Sequence, residues 1–223
     1  MKRIVLLTLV TAACGGTSGT AIDRNRAGTG SSTLLVSATV AVTNSATAPT
    51  TTLTADVSDG LGAAVTGATV TIQNAGLGGD TALIETPGGT AGHYTASKTS
   101  LPAGDFTLSV VKGTDSVQGV VVGSPGLHAI NSPALNSTAP ANQPLDVSWT
   151  TPAMSKSATI TTRNYSVQVP DTGTYTIPAA NNPARTGQRV IIRRANEVEI
   201  ARGLPGSILR ATVTTTVDPF TVQ

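Results

Sequence analysis

Hydrophobic and polar positions alternate along most of this chain. In "TLLVSATVAVT", Leu34, Val36, Ala38, Val40 and Val42 share one parity, and Leu35, Ser37, Thr39 and Ala41 share the other. A period of two is what a half-buried strand requires. The same parity puts Leu53, Ala55 and Val57 inward in "TTLTADVSD", Ala68, Val70 and Ile72 inward in "ATVTI", and continues through Tyr94, Phe106, Leu108 and Val110. "DSVQGVVVG" closes this set. Glycine, proline, asparagine and aspartate punctuate the runs, so about seven short strands are expected over residues 33–123, the pattern of a β-sandwich.

Alternation resumes after "GSPGLHAINSPA", a passage stiffened by Pro125 and Pro133. Leu145, Val147 and Trp149 share a face in "QPLDVSWT", as do Tyr165, Val167 and Val169 in "YSVQV". "PDTG" at 170–173 has proline, aspartate and glycine in turn order, which predicts a hairpin over 165–177. "QRVIIRRANEVEIARG" predicts two strands bent near Ala195, Asn196 and Glu197. A long last strand follows, with Leu209, Ala211, Val213, Thr215 and Val217 in register. Glycine, proline and β-branched residues interrupt every candidate helix. The expected fold class is all-β.

Two resemblances sharpen this reading. "VSDGLGAAVTGATVTI", followed by "GHYTAS" and "LPAGDFTLSVV", resembles bacterial immunoglobulin-like modules of surface proteins, and is similar to transthyretin-like and carboxypeptidase-associated repeats. The "L.V.W" of Leu145, Val147 and Trp149 resembles a fibronectin type III domain. That family's tyrosine on the penultimate strand has no counterpart, because Val190 and Ile192 occupy the stretch. The resemblances imply two tandem immunoglobulin-like β-sandwich domains, at 33–123 and 133–223, joined by a linker at 124–132.

The N-terminus changes the picture. Lys2 and Arg3 precede the apolar run Ile4–Val10, and small residues lead to Cys14, the single cysteine. These are the parts of an export signal. Seven helical residues reach only about 10 Å, well short of the roughly 30 Å hydrocarbon slab. "TAAC" resembles the lipobox of bacterial lipoproteins, with Thr11 where leucine is usual. That resemblance implies a signal peptide at 1–13, cleavage before Cys14, a diacylglycerol thioether on Cys14 and acylation of the new amino group. A free N-terminal cysteine after ordinary secretory cleavage is the alternative. Two or three acyl chains hold a protein stably at a membrane where one does not. Gly15, rather than aspartate, implies by the same family analogy the outer membrane, on either face. Residues 14–32 then form the lipidated cysteine and a flexible tether, since "GGTSGTAIDRNRAGTGSS" has no periodicity.

Without residues 1–13, twelve basic and twelve acidic residues remain. A nucleic-acid binder concentrates positive charge, so no nucleic-acid partner is expected. Charge is unevenly divided: residues 33–123 carry two lysines against six acids, and residues 127–223 carry eight basic residues against five acids. Arg185, Arg189, Arg193, Arg194 and Arg202 are therefore candidates for an anionic surface such as lipopolysaccharide or acidic glycan. The competing reading is that Arg189 and Arg193 simply solvate an outer face beside Glu197 and Glu199.

The remaining chemistry is sparse. His93 and His128 read as two unconnected surface histidines, and with one thiol they form no zinc set. Asp56, Asp59, Asp80 and Asp105 read as turn caps rather than a calcium loop. Neither G-x-S-x-G nor a P-loop is present. Six aromatic residues, with Phe106, Trp149 and Tyr165 wanted for cores, leave few rings for stacking on sugars. No catalytic residue, metal or cofactor is expected. The chain reads as a non-enzymatic, lipid-anchored envelope protein used for spacing, protein–protein interaction or adhesion. Its expected partners are membrane lipid through acylated Cys14 and an envelope protein or anionic glycan. The competitors are an envelope ligand- or glycan-binding receptor and, behind it, a hydrolase or hydrolase accessory.

Overall fold

The computed structural model describes residues 24–45 and 49–223. Cys14 and the expected signal peptide lie outside them. The described chain is all-β, with sixteen strands and two single-turn 3-10 segments at Ala75–Leu77 and Ala179–Asn181. No helix among the described residues is long and apolar enough to cross a membrane.

The strands are β1 (Thr29–Gly30), β2 (Leu34–Asn44), β3 (Thr50–Asp59), β4 (Thr69–Asn74), β5 (Gly79–Glu85), β6 (His93–Lys98), β7 (Phe106–Lys112) and β8 (Asp115–Val122). They continue as β9 (Ile130–Ser132), β10 (Thr138–Ala139), β11 (Leu145–Trp149), β12 (Ser157–Thr161), β13 (Ser166–Val169), β14 (Thr174–Ile177), β15 (Arg185–Glu199) and β16 (Ile208–Val222). Leu34, Val36, Ala38, Val40 and Val42 are all buried, as the alternation requires, and so are Leu53, Ala55, Val57, Val70, Ile72, Tyr94, Phe106, Leu108 and Val110. They form a first hydrophobic cluster between β1-β8-β7-β4-β5 on one side and β6-β3-β2 on the other.

The second side does not stop at β2. β16 pairs with it in parallel from Ile208↔Ser37 to Thr215↔Asn44, and β15 and then β12 and β13 follow in the same sheet. A second cluster, containing Trp149, Ile160, Ile177, Val190, Ile192 and Phe220, lies between the far part of this sheet and the three-stranded sheet β14-β11-β9. The hairpin β15–β16 therefore serves both cores: Val198, Leu209, Ala211 and Val213 pack in the first, and Val190, Ile192, Phe220 and Val222 in the second.

Four expectations change. The stretch 185–199 is one strand with no break at Ala195–Glu197, because every residue from Val190 to Glu199 has a partner on β16 in register, apart from the pairing shift just before Val190. On β16, Leu209, Ala211 and Val213 are buried, but Thr215 and Val217 are only half-buried, and Phe220 and Val222 take over. The inward parity shifts because pairing steps from Val190↔Val217 to Gln188↔Phe220, an extra residue on β16 at Asp218–Pro219. Proline has no N–H to give the ladder, which suits it to such a bulge. Residues 165–177 do not form a hairpin: β13 pairs with β12, and β14 pairs with β11 in the opposite sheet. "PDTG" is thus an arch between layers, with Gly173 at φ +85.

Finally, the expected tether is paired over its last part. Arg26 bridges Val121, and Thr29–Gly30 pair with Gln118 and Val117 at the sheet edge. These contacts are made by backbone and need no apolar periodicity. Gly30 permits them, since a Cβ there would lie 2.5 Å from the Ser116 carbonyl and 2.6 Å from that of Arg202.

A shared sheet couples the two cores. Leu209→Ala removes a fully buried side chain from the first cluster and is expected to cost about 2–5 kcal/mol. Trp149, the single tryptophan, reports on the second cluster. Its fluorescence transition in urea is expected to move to lower denaturant together with the far-UV circular dichroism. A Trp149 transition left in place would show independent cores.

Candidate functional site

β15 has two faces, and its consecutive arginines divide between them. Val190, Ile192, Arg194, Asn196 and Val198 point to the inner side, while Arg193, Ala195 and Glu197 point outward. On the inner side Arg194 falls between Ile192, in the second core, and Val198, in the first. Its side chain is fully buried.

That burial is compensated by a complete set of partners. Arg194 Nε and Nη2 donate to Asp171 Oδ2 at 2.8 and 2.6 Å, and the guanidinium also donates to the carbonyls of Pro125 and Ala153. Asp171 stands on the interlayer arch and accepts further bonds from Trp149 Nε1 at 2.8 Å and Ser155 Oγ at 2.6 Å. Burial acts to raise the Asp171 carboxyl, but the bonds from Arg194, Ser155 and Trp149 outweigh it and hold the group below the usual carboxylate range. Removing one partner of such a pair strands a buried charge. Asp171 and Arg194 are sealed from solvent, so they hold the joint and cannot receive a substrate.

The segment 124–129 crosses this joint and is pinned there. His128 is buried, which corrects its reading as a surface residue. Its Nε2 lies 3.2 Å from the Ile192 carbonyl, and its own carbonyl accepts from Thr215 Oγ1 at 3.0 Å and Asn44 Nδ2 at 3.4 Å. A carbonyl only accepts, so Nε2 carries the proton and Nδ1 is a buried lone pair without a partner among the described residues. Burial and then the Arg194 charge push the imidazole down to about 4, against the opposing pull of the Ile192 bond and Asp171.

The outward face carries the accessible site, a trough of about 770 Å³. Its floor is the row Ser157–Ala195–Thr212–Ala41, four small residues paired across β12, β15, β16 and β2. One wall is the row Gln168–Thr159–Arg193–Thr214. The other is Glu197–Arg210–Thr39, with Lys156 beside it. Arg210 Nε donates to Glu197 Oε2 at 2.8 Å, whereas Lys156 and Arg193 join no ion pair among the described residues. Two cationic groups are thus left without a counter-charge.

Of the five candidate arginines, the structure places only Arg193 in the trough. Arg194 is removed from any exposed surface by its burial. Arg185 is held by Asn164 Oδ1, Arg189 is half-buried with an unpartnered Nε, and Arg202 is exposed in the turn after β15. The sequence reading missed Lys156 and Arg210. Strand parity separates Arg193 from Arg194, but only the register of β12, β15 and β16 brings Lys156 and Arg210 to the same trough. No group of three or more metal-binding side chains occurs among the described residues.

No protein-family model and no curated protein matches the chain. Among solved structures, the chain is similar to the Yersinia pseudotuberculosis adhesin InvE, at 16% identity and TM-score 0.26 over 82% of this chain and 60% of that one. It therefore spans less than two thirds of the adhesin structure. It is also similar to a chimeric titin Z1Z2-Z1Z2 tandem functionalized with a GRGDS peptide from fibronectin, at 10% identity and TM-score 0.23 over 88% of this chain and 99% of that one. The all-β assignment rests on the strand pairing described above.

His128 makes the joint acid-sensitive. Its folded pKa lies below the unfolded value of about 6.5, so its contribution is fully present above that pH and is lost as pH falls toward about 4. The expected loss across this window is about 3 kcal/mol. Urea titrations between pH 7 and 4 check it, and His128→Gln is expected to flatten the slope over that interval.

Proposed function

We propose that the chain is a non-enzymatic, lipid-anchored protein of the bacterial cell envelope whose β-sandwich modules act as a rigid interaction or adhesion unit. The observation that carries this reading is the single sheet running through both cores. Domains joined by linkers alone move relative to one another by default. Here fifteen-residue strands cross the joint unbroken, and the buried pair Arg194–Asp171 ties the linker to them. Such a body transmits position and force from one end to the other. The lipobox-like "TAAC" supports covalent lipid at Cys14, which would fix the body to a membrane while its faces remain in water. Outer-membrane attachment is the corresponding location.

Two measurements test the two halves of the proposal. Mass spectrometry of the mature N-terminus from native membranes is expected to show Cys14 carrying diacylglycerol, with Cys14→Ser releasing the protein from the membrane fraction. An unmodified cysteine on a freely diffusing protein would end the anchoring claim. For rigidity, spin labels at Thr114→Cys and Leu135→Cys in the Cys14→Ser background, both exposed sites, are expected to give one narrow distance distribution. A broad distribution would show a hinge where a stiff joint is proposed.

A further inference from the structure

We propose that the trough on the outer face of the shared sheet binds a linear acidic polysaccharide laid across the strands. This deepens the interaction-module reading and rests on it.

Shape is the first argument. The floor row Ser157–Ala195–Thr212–Ala41 runs perpendicular to the strands, and Val169–Pro170 extend the lining beyond it. With strands about 4.8 Å apart, four or five of them make a channel roughly 15–19 Å long. The wall rows lie two residues to either side along the strands, about 7 Å each way. Small floor residues between longer walls make a slot for an extended chain. A compact head group would fill only part of it.

Chemistry is the second argument. Thr39, Ser157, Thr159 and Thr214 offer hydroxyls that both donate and accept, and Gln168 adds an amide, which together match the hydroxyls of sugar rings. Arg193 on one wall and Lys156 at the other supply charge without an ion-pair partner among the described residues, while Glu197 and Arg210 neutralise each other across the wall. A ligand carrying carboxylates at intervals satisfies both cations. Among the described residues no aromatic side chain lines the trough, so stacking on a neutral sugar has no platform there, and none of them offers the large apolar anchor that dominates protein interfaces. Recognition here is by charge and hydroxyl, and added salt weakens it.

The third argument is pre-organisation. The face is built on strands, and the inner side of β15 is fixed by Arg194 and Ile192. Little ordering is required when a ligand arrives, which favours affinity.

The test uses the full exported chain carrying Cys14→Ser, titrated calorimetrically with polygalacturonate, with neutral dextran and with anionic phospholipid vesicles. Polygalacturonate is expected to bind and dextran is not. Lys156→Ala with Arg193→Ala is expected to weaken binding about tenfold or more. Ala195→Tyr, which fills the floor without changing charge, is expected to weaken it as well. Arg202→Ala, on an exposed turn outside the trough, serves as the control for loss of a positive charge elsewhere and should change affinity less than about twofold. Unchanged thermal melting of the Lys156 and Arg193 variants shows that folding is not the cause. Equal binding by wild type and double variant, equal binding of dextran, or binding to vesicles alone would each overturn the trough assignment. If polygalacturonate fails while Cys14 is acylated and the label distances stay narrow, the trough proposal falls and the rigid-module reading stands.

Discussion

Everything in this structure depends on the parallel ladder between β2 and β16. Eight consecutive residue pairs, Ile208↔Ser37 to Thr215↔Asn44, stitch the last strand of the described chain against its first long strand. Without that ladder, the first cluster would lose Leu209, Ala211 and Val213 from its wall, and the outer face would end at β2. With it, one sheet covers two cores on one side and presents a continuous surface on the other. Parallel pairs need long crossovers, and here the crossover includes nearly the whole molecule.

A sheet that spans two cores has to solve a problem at the seam between them. The apolar filling of each core ends there, and Arg194 occupies the gap with a charge. The charge is tolerated because Asp171, the linker carbonyl of Pro125 and the carbonyl of Ala153 in the β11–β12 loop surround it. An apolar residue of similar volume could make the seam as stable or more so, but it could not hold those carbonyls or the arch at Asp171. Specificity of the joint is therefore electrostatic, even though both cores are apolar. The buried His128 beside it shows the cost: a lone pair at Nδ1 with nothing to meet among the described residues, and an imidazole that must stay neutral.

Much of this was legible from the chain, and the omissions share a cause. Period-two alternation located β2, β3, β7 and the first half of β16, because each has one dry and one wet face. It missed β5 and β12, where Thr81, Leu83, Ala158 and Ile160 give only two inward positions each. It read "PDTG" as a hairpin because turn chemistry is local, whereas the choice of sheet for the strand that follows is not. The five arginines were grouped by charge, although parity already sends Arg193 and Arg194 to opposite faces. Lys156 and Arg210 could not be joined to Arg193 from the sequence at all, since their neighbourhood is set by pairings between residues far apart in the chain.

The same long-range ladder has a bearing on the protein's history before it is native. Contacts of such sequence separation are entropically expensive to close and slow to form. One strand of the first sandwich's wall is missing until residues 208–215 have been synthesised, so the N-terminal half has no complete structure to fall into while the chain is still being made. Under the proposed export, that delay would be useful: the polypeptide would stay threadable until residues 208–215 arrive, and lock only afterwards.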